Sequence, residues 1–256
     1  MTQIATTPVP LTARPLWREV LDNAVTLGVT LAAVLALHSV LFQPFTIPSS
    51  SMEPGLVTGD YIVVSKFAYG WSGASLPIDL PFLKGRLFGG PVRRGDVVVF
   101  RLPRDPSVAW VKRVIGLPGD RVQVVGGVVH VNGQALPRSP LGVVPDHDDE
   151  TRMVPLARET NADGRAYPTY AGEAGHEGDD TDVYVVPEGQ YFMMGDNRDN
   201  SLDSRWPKAV GVGFLPAHNI LGRAERVVAS WRPGAALWKP WTWLDLQPGR
   251  LLRKIE

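Results

Sequence analysis

The sequence has no cysteine in 256 residues. That excludes disulfides, thiol nucleophiles and thiolate metal sites, and leaves the compartment open. It has no charge excess either, with 26 Lys and Arg against 26 Asp and Glu. The basic clusters that neutralise phosphates are missing, so no nucleic acid partner is expected. Neither an HExxH pair nor a G-x-S-x-G elbow occurs, and His130, His147, His176 and His218 are scattered. Zinc peptidases and Ser-His-Asp hydrolases therefore have no local support. There are no internal repeats.

What is present is an ordinary globular composition, 44% hydrophobic and 20% charged, long enough for one or two domains. The 23 prolines and 26 glycines favour many turns and a β-rich fold. Ala24 to Phe42 carries no Asp, Glu, Lys or Arg. At ~1.5 Å per residue it matches a hydrocarbon layer. The reading is a cytoplasmic tail over 1–22 and an uncleaved transmembrane helix over 23–43. Arg14 and Arg18 precede this run and no further Lys or Arg follows before Lys66. That bias places the N-terminus inside and the rest of the chain outside.

Valine-rich runs bounded by Gly, Pro or Asp follow: DYIVVSKF at 60, DVVVFRL at 96, AWVKRVIG at 109, RVQVV at 121 and VVHV at 128. They read as strands, with hairpin turns at Gly126-Gly127 and Asn132-Gly133. Residues 137–182 are poor in apolar runs, and strand texture returns at 183. The expected fold class is mainly β: an antiparallel catalytic core over 44–120 and 183–256, interrupted by a smaller β/loop subdomain over 121–182. His147, Asp148, Asp149, His176, Asp179 and Asp180 show no recurring ligand spacing, so they read as solvated loop residues and no metal is assigned.

Three stretches carry chemistry. In FTIPSSSMEPG, Pro48 and Pro54-Gly55 argue for an extended segment, in which Ser49 and Ser51 share one face and Ser50 takes the other. In AWVKRVIG, Lys112 shares a strand face with Trp110 and Val114. Desolvation there would disfavour its charge and equip it as a base for a serine hydroxyl; the plainer reading is an edge-strand lysine that blocks aggregation or snorkels to water. In GDNRDNSLDSR (195–205), Asp203 and Arg205 suit an ion pair that stiffens a loop.

A single apolar run followed in order by IPSSSMEPGL, YIVVSKFAYG, RRGDVVVF, VKRVIGLPGD, PEGQYFMMGDNRDNSLDSR and LPAHNILGRA resembles the bacterial type I signal peptidases, also called leader peptidases. The likeness covers nearly all of the chain after the apolar run except the inserts. It implies a membrane-bound Ser-Lys dyad endopeptidase that cuts signal peptides from exported preproteins after A-x-A. The enzyme would act at the outer face of the cytoplasmic membrane, near the export translocon and membrane lipids, without metal or cofactor. On the family pattern Ser51 is the nucleophile and Lys112 the base. Ser49 completes the oxyanion hole, Ser201 orients the lysine, and Asp203 with Arg205 supports the site. Phe45, Ile47, Leu56, Trp110 and Val111 match positions lining small apolar substrate pockets. Trp231, Trp238, Trp241 and Trp243 are candidates for a lipid interface or an aromatic core. Residues 70–93 have no local match, and WPKAVGVGFLP (206–216) is longer than the family pattern. Two other readings are a self-cleaving Ser-Lys repressor relative and a membrane-anchored peptide-binding scaffold with a dead site. The first lacks a DNA-binding N-terminal domain, and the second needs neither Ser51 nor Lys112.

Overall fold

A computed structural model describes residues 15–71, 88–170, 175–232, 235, 239–242 and 244–256. The chain divides into two units, 1–39 and 40–256. The first consists, over its described residues, of most of helix α1 (Leu16–Leu41). Its side chains from Leu16 to Val34 are exposed, apolar ones included, and Thr26 Oγ1 donates to the Asp22 carbonyl at 2.7 Å. Among the described residues no helix is long and apolar enough to cross a membrane. The transmembrane segment expected at 23–43 is thus not supported. The helix starts seven residues earlier than expected and takes Arg18, Glu19 and Asp22 into its first two turns.

The second unit is built from strands β1 (Phe42–Thr46), β2 (Asp60–Ser65), β3 (Val97–Leu102), β4 (Asp105–Gly116), β5 (Arg121–Val125), β6 (Val128–Val131), β7 (Gln134–Ala135), β8 (Arg138–Pro145), β9 (Met153–Thr160), β10 (Ala166–Tyr170), β11 (Tyr184–Val185), β12 (Gln190–Met194), β13 (Phe214–Pro216) and β14 (Ile220–Ser230). The largest sheet has the order β1-β2-β14-β3-β4-β12-β13, all pairs antiparallel. The continuous apolar run of β3 explains its central place. Val97 and Val99 enter one core cluster with Ile47, Met52, Leu56, Ile62 and Val111. Val98, Phe100 and Leu102 enter another with Tyr69, Val114, Met193 and Leu215. A strand covered on both faces needs no polar alternation.

Two smaller sheets flank it, β11-β5-β6-β7 and β10-β9-β8. Gly126 and Gly127 take φ of 53° and 74°, and Asn132 and Gly133 54° and 80°. Both expected hairpins therefore close on two residues with positive φ, where glycine has no Cβ to clash. The sheet β8–β10 lies within residues that read as poor in β structure. Its strand β8 is largely solvent-facing, with six exposed residues among eight, and the three strands carry Pro140, Pro145, Pro155 and Pro168. Proline and polarity mask the strand pattern there. The mainly β fold with an N-terminal helix is as expected.

Candidate functional site

The serine triplet does not run straight. Ser49 is extended at φ −143° and ψ 153°, and Ser50–Met52 then form one turn of 3-10 helix. The turn is closed by Glu53 N–H donating to the Ser50 carbonyl at 3.0 Å. Alternation therefore fails between Ser50 and Ser51, yet its consequence survives. Ser49 and Ser51 both line the main cavity, of ≈ 550 Å³. Ser50 does not line it, and its hydroxyl accepts from Asn200 Nδ2 at 2.8 Å.

Strand β4 delivers Lys112 to the same cavity, where Nζ donates to Ser51 Oγ at 2.6 Å. The lysine is buried, at 4% exposed. Burial lowers its pKa to about 8, with Asp203 and Asp196 opposing that fall and Arg205 adding to it. Trp110 lies beside it, with the ammonium 5.5 Å from the ring centroid. A buried amine titrating close to neutrality, in contact with a hydroxyl, is arranged for proton transfer.

The loop at 195–205 closes the site from the other side. Asn197 N–H donates to the Ser51 carbonyl and its Nδ2 to the Ser50 carbonyl, both at 3.2 Å. Ser201 lines the cavity with a buried hydroxyl that has no hydrogen-bond partner. Gly195 sits where an added Cβ would overlap both Ser201 Oγ and the Ser51 carbonyl.

Three buried ion pairs hold this loop. Arg205 Nε and Nη2 donate to the two Asp203 oxygens at 2.9 Å each. Asp203 also accepts from Gly195 N–H at 3.1 Å. Burial acts to raise the Asp203 pKa, but Arg205 and the backbone donors hold it below the usual carboxylate range. Arg113, adjacent to Lys112, pairs with Asp196 at 2.6 and 2.7 Å and stacks over Tyr167 at 3.9 Å. Arg198 pairs with Glu159 of β9 at 2.6 and 2.7 Å, and Tyr167 also donates to Glu159. The sequence reading named only the first of the three, because its partners are two residues apart and the others lie 83 and 39 residues apart.

Phe45, Ile47, Trp110 and Val111 line the cavity, together with Val108, Leu202 and Trp206, which sequence reasoning missed. Leu56 does not; it is fully buried in the core beneath the serine turn. Trp231 packs edge-on against Tyr61 at 4.8 Å, Trp241 is exposed, and Trp238 and Trp243 lie outside the described residues. His176, Glu177 and Asp199 also reach the cavity. The sequence reading took His176 for a solvated loop residue and gave Glu177 and Asp199 no role.

Comparison with known proteins identifies the family. The family profile described as "Signal peptidase, peptidase S26" matches residues 20–231. The signal peptidase I of Rickettsia canadensis (strain McKiel) is 40% identical over 199 residues, covering 75% of this chain and 73% of the relative. That of Rickettsia typhi (strain ATCC VR-144 / Wilmington) is 39% identical with the same coverage. Among solved structures, a signal peptidase I from Enterococcus faecalis V583 is 25% identical, covering 52% of this chain and 97% of that one, with a TM-score of 0.31. On the profile match and the Rickettsia relatives, the chain belongs to the signal peptidase family, peptidase S26.

Proposed function

We propose that the chain is a Ser-Lys endopeptidase that removes signal peptides from exported preproteins at the outer face of the cytoplasmic membrane. The observation that carries the reading is the 2.6 Å contact between a buried Lys112 amine and Ser51 Oγ. Neutral Lys112 accepts the Ser51 proton as Oγ attacks the carbonyl carbon of the residue before the cut. The Ser51 N–H and the Ser49 hydroxyl donate to the oxyanion of the tetrahedral intermediate. The lysinium then protonates the leaving amine, the C–N bond breaks, and an ester to Ser51 remains. Water, deprotonated by the same amine, attacks that ester. The proton returns to Ser51 Oγ and the signal peptide leaves with a new C-terminal carboxylate.

Ser201 is assigned the role of orienting the lysine amine, which requires its unpartnered hydroxyl to turn toward Nζ, and Asp203 with Arg205 fixes the loop that carries it. The cavity wall of Phe45, Ile47, Trp110 and Val111 suits small side chains at positions −1 and −3, which gives the A-x-A preference. Leu56 acts beneath that wall rather than in it. We read residues 44–120 with 183–256 as the catalytic core and 121–182 as an insert. Support comes from the seven-stranded sheet, whose strands all fall outside 121–182. The exposed apolar side chains of α1 support attachment to a membrane, where lipids and the export translocon would be neighbours.

An inactive peptide-binding scaffold would have no use for a desolvated lysine touching a serine. The test is incubation of the purified protein with a preprotein-derived peptide containing A-x-A, followed by mass spectrometry. A single cut after the second alanine is expected. No cut, or a cut elsewhere, would count against the reading.

A further inference from the structure

Two residues beyond Ser51, Glu53 is fully buried, and neither of its carboxylate oxygens has a hydrogen-bond partner. A desolvated carboxylate without a donor is among the costliest arrangements in a folded chain. The group facing it is His147, whose Nδ1 is also buried and unpartnered, 4.0 Å from Glu53 Oε1. The same Nδ1 lies 3.7 Å from Asp148 Oδ1. One ligand atom from each of the three residues lies within 4.8 Å of the others. Three groups with unused lone pairs therefore converge, and burial with the carboxylates of Asp148 and Asp146 pushes the Glu53 pKa up to about 8, so without a cation the cluster holds a proton.

The outer contacts of the cluster are organised as well. His147 Nε2 is 2.8 Å from Gln247 Oε1. An amide oxygen only accepts, so Nε2 carries the hydrogen there and Nδ1 is left with a lone pair directed at the carboxylates. Thr58 Oγ1 donates to Asp148 Oδ2 at 3.0 Å, which leaves Oδ1 turned toward His147. The basic residue nearby, Arg250, is already paired with Asp60 and donates to the Gly55 carbonyl.

We infer that Glu53, His147 and Asp148 form a site for one divalent cation of the zinc class. Two metal–ligand bonds of about 2.1 Å span at most about 4.2 Å; the 4.0 Å and 3.7 Å separations to Nδ1 fall inside that limit, and the two carboxylate oxygens lie within 4.8 Å of each other, so a small inward shift would complete the set. One imidazole and two carboxylates select zinc-like ions over calcium or magnesium, which favour all-oxygen shells. The ion would touch no reacting atom. It would tie the loop at 146–149 to the turn that carries Ser51, so its role is to position the nucleophile's loop. The alternative occupant is a proton shared within the cluster.

The untagged full-length protein, purified in detergent and dialysed against micromolar ZnCl2, should retain about one zinc per chain by elemental analysis. Adding EDTA should lower its Tm by several degrees, and ZnCl2 should restore it. Glu53→Gln removes a buried charge and risks misfolding, so His147→Ala, at a partly exposed side chain, is the diagnostic variant. It should bind less than a tenth of an equivalent, and its Tm should respond to neither EDTA nor ZnCl2. Substoichiometric zinc in the wild type with an unmoved Tm would overturn the inference in favour of the proton. Equal zinc retention by wild type and His147→Ala would overturn it as adventitious binding.

Discussion

At the residue scale, Lys112 decides how the site works. Only the neutral amine can accept the Ser51 proton, and burial brings its pKa down to about 8. The rate on a peptide without titratable groups should therefore rise with pH through a limb centred near 8 and flatten above it. A limb near 10.5, the ordinary lysine value, would mean that the lysine is exposed during turnover. The serines differ in what their loss should cost. Ser49→Ala removes a proposed oxyanion donor, and such donors are worth about 10²–10³ in kcat. Ser50→Ala loses only the exposed bond from Asn200 Nδ2 and should change the rate by less than about threefold. Comparable losses in both variants would remove the oxyanion role from Ser49. Grouping Ser49 with Ser51 needed only the idea of an extended chain, although the chain in fact turns. The grouping holds because the chain leaves the extended form at Ser50, where the 3-10 turn closed by Glu53 N–H begins and the Ser50 hydroxyl meets Asn200.

At the scale of elements, the rigid part is the loop at 195–205 and the buried charges that fix it. Removing one partner of a buried pair leaves the other charged and desolvated, at about 3–5 kcal/mol. Asp203→Ala, which strands Arg205, should lower the unfolding free energy by that amount in denaturant titrations. A loss below about 1 kcal/mol would show that water reaches Arg205. Gly195→Ala acts differently, because its Cβ would displace Ser201 and the Ser51 carbonyl. Its peptide cleavage should fall at least tenfold with substrate affinity little changed. The ion pairs also show where sequence reading stops. Asp203–Arg205 was legible because the two residues are neighbours in the chain. Arg113–Asp196 and Arg198–Glu159 are products of topology, made when β12 pairs with β4 and β10 reaches Asn197. Strands β2, β3 and β4 of the main sheet were legible from valine runs, whereas β1, β13 and β14 were not read as strands, and β8–β10 were hidden by their prolines and by the exposure of most of β8.

At the scale of the molecule, helix and β body are separate units. A chain beginning at residue 40 should keep the Tm of the β body and its cleavage of a soluble peptide. It should lose co-sedimentation with anionic lipid vesicles, since the exposed apolar side chains of α1 are gone. Undiminished sedimentation would place the lipid contact in the β body instead, with exposed Trp241 and Leu244 as the first side chains to test. The apolar run was legible in the sequence as a helix, although the helix starts earlier, at Leu16; among the described residues no helix is long and apolar enough to cross a membrane.

The measurement that reaches the central claim most directly compares turnover of one A-x-A peptide by the wild type, Ser51→Ala and Lys112→Ala at a single pH, with the Tm of each recorded. The account predicts that both variants fold and that each loses at least about 10³ in kcat. A folded Ser51→Ala or Lys112→Ala protein within tenfold of the wild type would contradict it.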